Sequence, residues 1–197
     1  MWYVVRTITG QEDKLLTSIS RVLNGADYER CFVIRREGVW RIEGTYRTYV
    51  RPAFPSYVFV ETATPEEFFL SLKRVPRLSC LLRNDCEFWT VSAEEQALLE
   101  RMTAGGGDLI RRSPVWLDAG DNIVRAGGAL AEFTDRIVRK RLRKRCVVVE
   151  IPFLGGMRRV EMGIRIAGRE SGEIKEEGRQ ELAEHFCETG TDKRGRK

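Results

Sequence analysis

Residues 51–61 read Arg-Pro-Ala-Phe-Pro-Ser-Tyr-Val-Phe-Val-Glu, and this stretch decides the fold of the N-terminal half. Its two prolines exclude a helix and hold their neighbours extended. From Tyr57 onward the side chains are aromatic or β-branched, which indicates a strand whose side chains alternate between two faces. One interpretation is a central strand buried on both faces. The other is that the Phe54-Pro55 corner and the aromatic face of Tyr57 and Phe59 form a docking surface for a partner.

The residues around this strand predict a mixed α+β domain over residues 1–103. Apolar side chains recur at helical spacing after Gly10, and two capping boxes, Thr64 to Glu67 and Ser92 to Glu95, begin two more helices. Helices can cover one side of the sheet and leave the other side available. The predicted order is β-α-β-β-β-α-β-α, with strands at 2–8, 31–36, 39–50 and 57–62 and near 81–82, and helices at 10–24, 64–74 and from 92.

A second domain follows a glycine-rich segment. Residues 104–113 contain three consecutive glycines and no periodic pattern, which predicts a flexible linker. Residues 114–168 hold short apolar runs separated by glycine pairs, and five short strands in about 55 residues predict a small β-barrel. Residues 169–197 are dominated by charge and predict a partly helical or disordered tail. The strands of the barrel are expected at 122–125, 136–140, 145–151, 157–162 and 164–166.

Positive charge is concentrated in the second domain. Residues 1–100 hold 13 basic and 14 acidic groups, whereas residues 101–168 hold 14 and 7. Residues 136–145 contain seven of these cations, and Leu142 is expected at or near a hairpin turn, so the cations crowd at one end of the barrel. A solvated basic face, RNA binding and non-specific DNA contact all remain open. Arginine outnumbers lysine five to two in this run, and its planar group suits phosphates, guanine edges and the unpaired bases of structured RNA.

Another group of arginines lies around a predicted hairpin with its turn near Glu43-Gly44. Two interpretations remain open for these side chains: a solvated face, or electrostatic contact with nucleic acid near the partner. They are Arg35, Arg36, Arg41, Arg47 and Arg51.

Several classes of function find no support in the residues. There is no G-x-x-x-x-G-K, no G-x-S-x-G and no Rossmann glycine pattern, and the single histidine, His185, lies in the charged tail, so we expect no enzyme. The five cysteines show no C-x-x-C spacing, which favours free buried thiols over a zinc site, and we expect no cofactor or metal. No signal peptide is visible, and no apolar run reaches the roughly 20 residues of a membrane span. We therefore expect a cytoplasmic monomer.

Several stretches resemble a known family. Residues 53–60, Ala-Phe-Pro-Ser-Tyr-Val-Phe-Val, resemble the Leu-Phe-Pro-Gly-Tyr-Val-Phe-Val signature of NusG-type transcription elongation factors. Residues 1–7 resemble their opening strand, and residues 10–14 match the entry to their first helix. Residues 120–127 and 148–161 resemble the opening and close of the family's KOW domain, although Asp135 stands where a glycine is expected. Among specialised paralogues, the basic second domain is most similar to LoaP, more than to general NusG or RfaH.

The resemblance implies two interaction sites. The N-terminal (NGN) domain would bind the clamp helices of RNA polymerase, bridge the DNA cleft and reduce pausing, with upstream DNA as a further partner. The KOW domain of a LoaP-like protein would bind a hairpin in the nascent leader RNA and direct processive antitermination. The implied polymerase-binding residues are Tyr3, Phe54, Pro55, Tyr57 and Phe59, and the cluster assigned to RNA is Arg136, Arg139, Lys140, Arg141, Arg143, Lys144 and Arg145.

Two alternatives remain open. One is a general elongation factor whose KOW domain binds Rho or a small-subunit ribosomal protein. The other is a ribosome-associated KOW-type RNA-binding protein. Some RfaH-like paralogues refold the second domain into a helical hairpin that masks the polymerase face, but here the run Val147-Val148-Val149 favours a stable barrel.

Overall fold

The computed structural model describes residues 1–23, 28–74, 88–104 and 107–168. These ranges form a mixed α+β fold with three sheets. The N-terminal elements are β1 (Trp2–Arg6), α1 (Glu12–Val22), β2 (Arg30–Phe32), β3 (Arg35–Ile42), β4 (Thr45–Pro52), β5 (Tyr57–Glu61), α2 (Pro65–Arg74), β6 (Phe88–Thr90) and α3 (Ala93–Met102). The C-terminal elements are β7 (Leu109–Ile110), β8 (Ser113–Leu117), β9 (Ile123–Ala126), β10 (Ile137–Arg141), β11 (Cys146–Phe153) and β12 (Gly156–Ile166), with 3-10 helices at Gly128–Arg136 and Leu142–Lys144.

Strand β5 lies at the centre of the N-terminal half. It pairs antiparallel with β1 and β2, and β1 pairs with β6, which gives the order β2-β5-β1-β6. Val58, Phe59 and Val60 have no exposed surface. Alternation places the two valines on the face that α1 and α2 cover, and Phe59 on the opposite face. The prediction of a strand buried on both faces is therefore confirmed.

The opposite face of this sheet is not left open, and that part of the prediction is wrong. Leu98, Leu99 and Met102 of α3 belong to the same buried cluster as Phe59. Side chains of the C-terminal sheet cover the rest of this face. Removing the aromatic surface of β1 and β5 from water favours this packing.

Other differences in the N-terminal half have local causes. The predicted strand at 31–36 is divided, because the buried Val33 and Ile34 carry the chain from the sheet of β2 to the sheet of β3. The capping box of α3 is confirmed: the Glu95 amide donates to the Ser92 hydroxyl at 3.2 Å, and the Ser92 amide donates to Glu95 Oε2 at 2.9 Å. The predicted helix stop at residues 24–25 and the predicted strand near 81–82 lie outside the described residues.

Strands β3 and β4 form a hairpin whose turn falls at Glu43 and Gly44, as predicted. Strand β7 pairs in parallel with the start of β3, so the three form a separate sheet in the order β4-β3-β7. Part of the segment predicted as a flexible linker, 104–113, is thus a strand. Ile110 is completely buried, and this burial together with the pairing fixes residues 109–110 against β3. Residues 105–106 lie outside the described residues.

The C-terminal half is a five-stranded sheet in the order β10-β11-β12-β8-β9. The strands predicted at 157–162 and 164–166 are one strand, β12, because its pairing with β11 runs unbroken from Gly156 to Gly163. Strand β8, which contains Pro114, was not among the predicted strands; it pairs in parallel with β12. Asp135 lies in a 3-10 helix rather than in a left-handed turn. The predicted tail, 169–197, lies outside the described residues.

The cysteines in the described residues are core side chains. Cys31 and Cys146 are free thiols, and burial raises the pKa of Cys31 to about 12 and also raises the pKa of Cys146. Both stay protonated at neutral pH and are therefore poor nucleophiles. Within the same ranges, no group of three His, Cys, Asp or Glu side chains is placed to hold a metal ion, and no helix is long and apolar enough to cross a membrane.

Candidate interaction surfaces

A cluster of aromatic rings lies on the face of the N-terminal sheet opposite α1 and α2. Phe59 lies 5.5 Å from Phe32 and 6.0 Å from Phe54, measured between ring centroids. Trp2 packs edge-on against Phe32 at 4.9 Å, and Tyr57 lies 6.3 Å from the Trp89 ring. We call this surface, formed by Trp2, Phe32, Phe54, Tyr57, Phe59 and Trp89, the aromatic face. Period-two alternation along β1 and β5 assembles it.

Phe153, at the end of β11, covers the aromatic face. Its ring lies 5.1 Å from Phe54, 6.1 Å from Phe59 and 6.3 Å from Tyr57, and it is 1% exposed. The next residue, Leu154, donates its amide hydrogen to Glu95 Oε1 at 2.6 Å. The carboxylate that caps α3 therefore also holds the C-terminal sheet in place.

The five residues implied for polymerase binding do not all share this surface. Phe54 and Phe59 are buried in it, Tyr57 is half-buried, and Pro55 is exposed beside it. Tyr3 lies opposite Val60, on the helix-covered side of the sheet, and its ring stacks on Phe88 at 4.9 Å. Sequence reasoning missed Trp2, Phe32 and Trp89 as members of the aromatic face. Alternation along β1 was the available signal for Trp2.

The corner before β5 is held by a buried hydrogen-bond set. Ser56 adopts a φ of 73°, in the left-handed region that glycine tolerates best. Its amide donates to Glu12 Oε1 at 2.7 Å, its carbonyl accepts from the Thr7 amide at 2.8 Å, and its hydroxyl lies 2.5 Å from the Thr9 hydroxyl. Glu12 is 3% exposed. This chain thus keeps a left-handed corner with serine, and α1 supplies the carboxylate that secures it.

The cationic cluster lies mostly at one turn, as predicted from the position of Leu142. Leu142–Lys144 form a 3-10 turn between β10 and β11, and Arg145 closes it with a φ of 51°. Four of the seven cations have solvent-exposed side chains, and we call these four the basic turn: Arg139, Lys140, Arg143 and Lys144. Of these, Lys140 donates to Asn122 Oδ1 at 2.9 Å.

Arg141 is half-buried and Arg145 is buried, and both lie close to residues of the N-terminal half. Glu161 of β12 accepts from Arg141 and, at 2.6 Å, from Arg36 of β3. Arg145 is 8% exposed, and its guanidinium lies 5.3 Å from the centroid of the Tyr46 ring. Five residues behind the basic turn therefore join the β3–β4 hairpin to the C-terminal sheet, and we call them the ionic contact: Arg36, Tyr46, Arg141, Arg145 and Glu161.

Arg136 does not belong to the basic turn. It precedes β10, at the end of that strand opposite the turn, and lines a groove between α3 and the C-terminal sheet. Ser92 and Arg101 of α3 lie on one wall of this groove, and Met157 lies on the other. Its place beside α3 separates it from the other cations predicted to bind RNA.

The hairpin arginines are interleaved with aromatic rings. The Arg51 guanidinium lies 5.0 Å from the Tyr49 centroid and 5.5 Å from that of Trp40, and the two rings are 5.0 Å apart. Gly38 lies directly beneath the Tyr49 ring, where any larger residue would collide with it. Arg35 pairs with Asp13 of α1. These contacts give the hairpin a cationic and aromatic surface rather than a row of freely solvated charges.

Comparison with known proteins gives a family match for the N-terminal half. Residues 1–100 match the sequence model of a family described as transcription termination factor NusG. Among solved structures, the chain is similar to one described as "Domain interaction in Thermotoga maritima NusG", with 20% sequence identity, a TM-score of 0.49, and coverage of 82% of this chain and 92% of that chain. No curated protein matches the chain.

Proposed function

The chain belongs to the NusG family of transcription factors, and on this premise we propose that it is a specialised elongation factor of the LoaP type that promotes processive antitermination. Its NGN-like N-terminal domain binds RNA polymerase, and its C-terminal sheet, a KOW-type barrel, binds a hairpin in the nascent leader RNA. The observation that carries the proposal is the basic turn. It exposes four cations within six residues, at the end of β10 and on the turn that follows, with no acidic residue between Arg139 and Arg145.

Proteins of the NusG family bind RNA polymerase. In this chain the aromatic face is the apolar surface suited to the clamp helices, because large rings in a pocket supply most of the affinity of a protein interface. We assign the contact to Phe54, Pro55, Tyr57 and Phe59, and leave out Tyr3 because it lies on the other side of the sheet. Phe153 occupies this surface in the structure, so polymerase binding requires that the clamp helices replace it.

No covalent bond changes in this function. The protein binds the elongating polymerase more tightly than the paused one, and differential binding shifts the population toward elongation. Upstream DNA would meet the arginine and aromatic surface of the β3–β4 hairpin, since charged and stacking side chains both favour nucleic acid.

RNA binding at the basic turn explains why the charge is concentrated there. Close cations repel one another unless a polyanion or salt screens them, and a phosphate backbone supplies that screening. Arg139 and Arg143 also offer planar groups that stack on unpaired bases in a hairpin loop. A contact made with Rho or a ribosomal protein does not require such a cluster.

A single-round transcription assay with purified polymerase tests the proposal. Two templates carry the same terminator, one with a candidate leader hairpin before it and one without. We expect read-through with the hairpin and termination without it. The R139Q/K140Q/R143Q/K144Q variant should lose hairpin-dependent read-through and bind the hairpin roughly tenfold or more weakly, with a shallower dependence on salt.

A variant with the same change in net charge provides the control. Lys14, Arg21, Arg74 and Arg158 are also exposed but lie away from the basic turn, so K14Q/R21Q/R74Q/R158Q should retain hairpin-dependent read-through. Equal read-through on both templates would instead indicate a general elongation factor. No effect on either template, together with binding to ribosomal RNA, would indicate the ribosome-associated alternative.

A further inference from the structure

We propose that one face of the β3–β4 hairpin binds unpaired RNA bases that flank the leader hairpin held at the basic turn. The inference rests on the proposed function and deepens it, because it adds a second RNA contact and states which part of the RNA each contact binds. Two observations carry it: the residues that strand alternation gathers on one face of the β3–β4 hairpin, and the contact between that hairpin and the basic turn.

One face of the β3–β4 hairpin carries cations and aromatic rings together. Directly paired residues of two antiparallel strands share a face, and the next pair along lies on the opposite face. Both strands are described in full, and none of their residues on this face is acidic, because Glu37 lies on the opposite face and Glu43 lies in the turn. We call it the stacking face, and its central pairs are Arg36 with Arg51, Gly38 with Tyr49, and Trp40 with Arg47.

The Tyr49 ring of the stacking face is held in place before any ligand binds. Atoms of this ring occupy the space where a Cβ on Gly38 would stand, so the strand itself supports one side of the ring. Arg36 Nη1 donates to the Tyr49 hydroxyl at 3.5 Å, and the Trp40 ring lies 5.0 Å from the Tyr49 ring. A ring that is already fixed loses little freedom on binding, so a base that stacks on it gains affinity.

The guanidinium groups of the stacking face surround the same ring. Arg51 is exposed and lies 5.0 Å from the Tyr49 centroid, and Arg36 lies 5.9 Å from it. Rings with cations beside them suit a single strand, because its bases stack on the rings while its phosphates meet the cations. A duplex can reach these arginines through its phosphates, but it presents only base edges in its grooves. The stacking face therefore favours unpaired nucleotides.

The stacking face adjoins the basic turn. Arg36 donates to Glu161 at 2.6 Å, and Glu161 also accepts from Arg141 at the end of β10. At the other end of the turn, the Arg145 guanidinium lies 5.3 Å from the Tyr46 centroid of β4. A strand that leaves a stem bound at the basic turn therefore comes directly upon the β3–β4 hairpin. This continuity favours RNA as the occupant of the stacking face.

Fluorescence anisotropy with the full chain tests the inference on a set of labelled RNA probes. All probes share one stem and loop. The first ends at the stem, the second adds about six unpaired adenosines on each side, and the third carries abasic sugars in place of those adenosines. We expect the wild type to bind the second probe roughly tenfold more tightly than the first, and the abasic probe to lose most of this gain, because it keeps the phosphates but lacks the bases.

Matched double variants locate the gain on the stacking face. Tyr49→Leu/Arg51→Gln removes a ring and a charge from it, while leucine still covers Gly38. Phe69→Leu/Lys73→Gln removes the same groups from a comparable pair on α2, where Lys73 Nζ lies 4.3 Å from the Phe69 centroid. The first variant should lose the gain from the unpaired flanks, and the second should keep it. Both should bind the probe without flanks like the wild type, which also establishes that they fold.

A conservative variant separates stacking from a general disturbance of the hairpin. Tyr49→Phe keeps the ring and loses only the hydroxyl that accepts from Arg36, so it should retain the gain. Loss of the gain in Tyr49→Leu/Arg51→Gln, with the gain retained in Tyr49→Phe and in the α2 variant, supports the inference.

The remaining outcomes contradict it in distinguishable ways. An equal gain in every variant, or an abasic probe that binds as tightly as its adenosine counterpart, overturns the inference while RNA binding at the basic turn stands. Tighter binding of an unattached DNA strand of the flank sequence than of the flanked hairpin also overturns it, because the stacking face would then be a DNA site. Failure of every protein, the wild type included, to bind the probe without flanks overturns the proposed function and the inference with it.

Discussion

Two corners of the chain have the same unusual backbone but different support. Ser56 leads into β5 beside the aromatic face, and Arg145 leads into β11 beside the basic turn; both are buried non-glycine residues with a positive φ. Ser56 is held entirely within the N-terminal half, by Glu12, Thr7 and Thr9. The side chain of Arg145 instead lies against Tyr46, across the interface.

The difference shows which surface depends on docking. All of the hydrogen bonds given for the Ser56 corner lie within the N-terminal half, so this corner of the aromatic face does not depend on the C-terminal sheet for them. The Arg145 corner loses its aromatic contact on separation, so the basic turn gains freedom to adapt. A rigid corner suits an apolar pocket, and an adaptable one suits RNA, whose loops vary in shape.

The largest expected effect is on polymerase affinity, where Phe54 and Phe153, whose rings meet on the aromatic face, should act in opposite directions. Phe54→Ala should weaken binding to core RNA polymerase by about 2–4 kcal/mol, as expected for a buried aromatic anchor. Phe153→Ala should strengthen it, because its ring covers the same surface. Surface plasmon resonance with immobilised polymerase measures both. A loss of affinity in both variants would mean that Phe153 itself contacts polymerase. Phe153 would then be part of the binding site and not a residue that blocks it.

A smaller effect tests whether the Ser56 corner is self-supporting. Glu12→Ala leaves the buried Ser56 amide without its acceptor and should lower the free energy of unfolding by about 1–3 kcal/mol. Urea denaturation followed by circular dichroism measures it. Asp13→Ala is the control, because Asp13 is 69% exposed and its pair with Arg35 should contribute less than about 1 kcal/mol. Equal losses for the two variants would show that the corner does not rely on Glu12.

The smallest effect sharpens the contrast between the corners. Ser56→Gly removes the strain of a positive φ but adds freedom to the unfolded chain, and these opposed terms should leave stability within about 1 kcal/mol of wild type. Hydrogen exchange at 153–155 should not change. Arg145→Gly relieves the same strain yet removes the contact with Tyr46, so exchange at 153–155 should speed up. The same exchange rate in both glycine variants would contradict the assignment of Arg145 to docking.

Local pattern in the sequence was enough to predict the parts of the fold that depend on near neighbours. The alternation through Tyr57–Val60 predicted a buried central strand, Ser92 and Glu95 predicted a capped helix, and Leu142 predicted the turn that gathers the cations. Each of these rests on interactions within a few residues or on a single sheet face.

The contacts that join the halves were not predictable from the same patterns. Phe153 packs against Phe54, which lies about a hundred residues earlier in the sequence. The residues next to Phe153 contain no pattern that predicts this contact. Arg141 and Arg145 cannot be told from the neighbouring cations in the sequence, yet Arg141 pairs with Glu161 and Arg145 is buried against Tyr46. Tyr3 was assigned to the wrong side of the sheet because the resemblance gave its place in the chain but not its face.

The pairing of β7 with β3 sets how far the two halves can travel. While β7 remains paired, only Arg111 and Arg112 connect it to β8. This connection has three Cα steps of 3.8 Å and spans at most about 11 Å. Once β7 separates from β3, the connection runs from Met102 at the end of α3 to Ser113, which is eleven Cα steps instead of three and nearly four times as long. Release of the two-residue strand β7 would thus increase the distance that the C-terminal half can move from the N-terminal half. The C-terminal half would then stay at a high effective concentration around polymerase while it samples the emerging transcript.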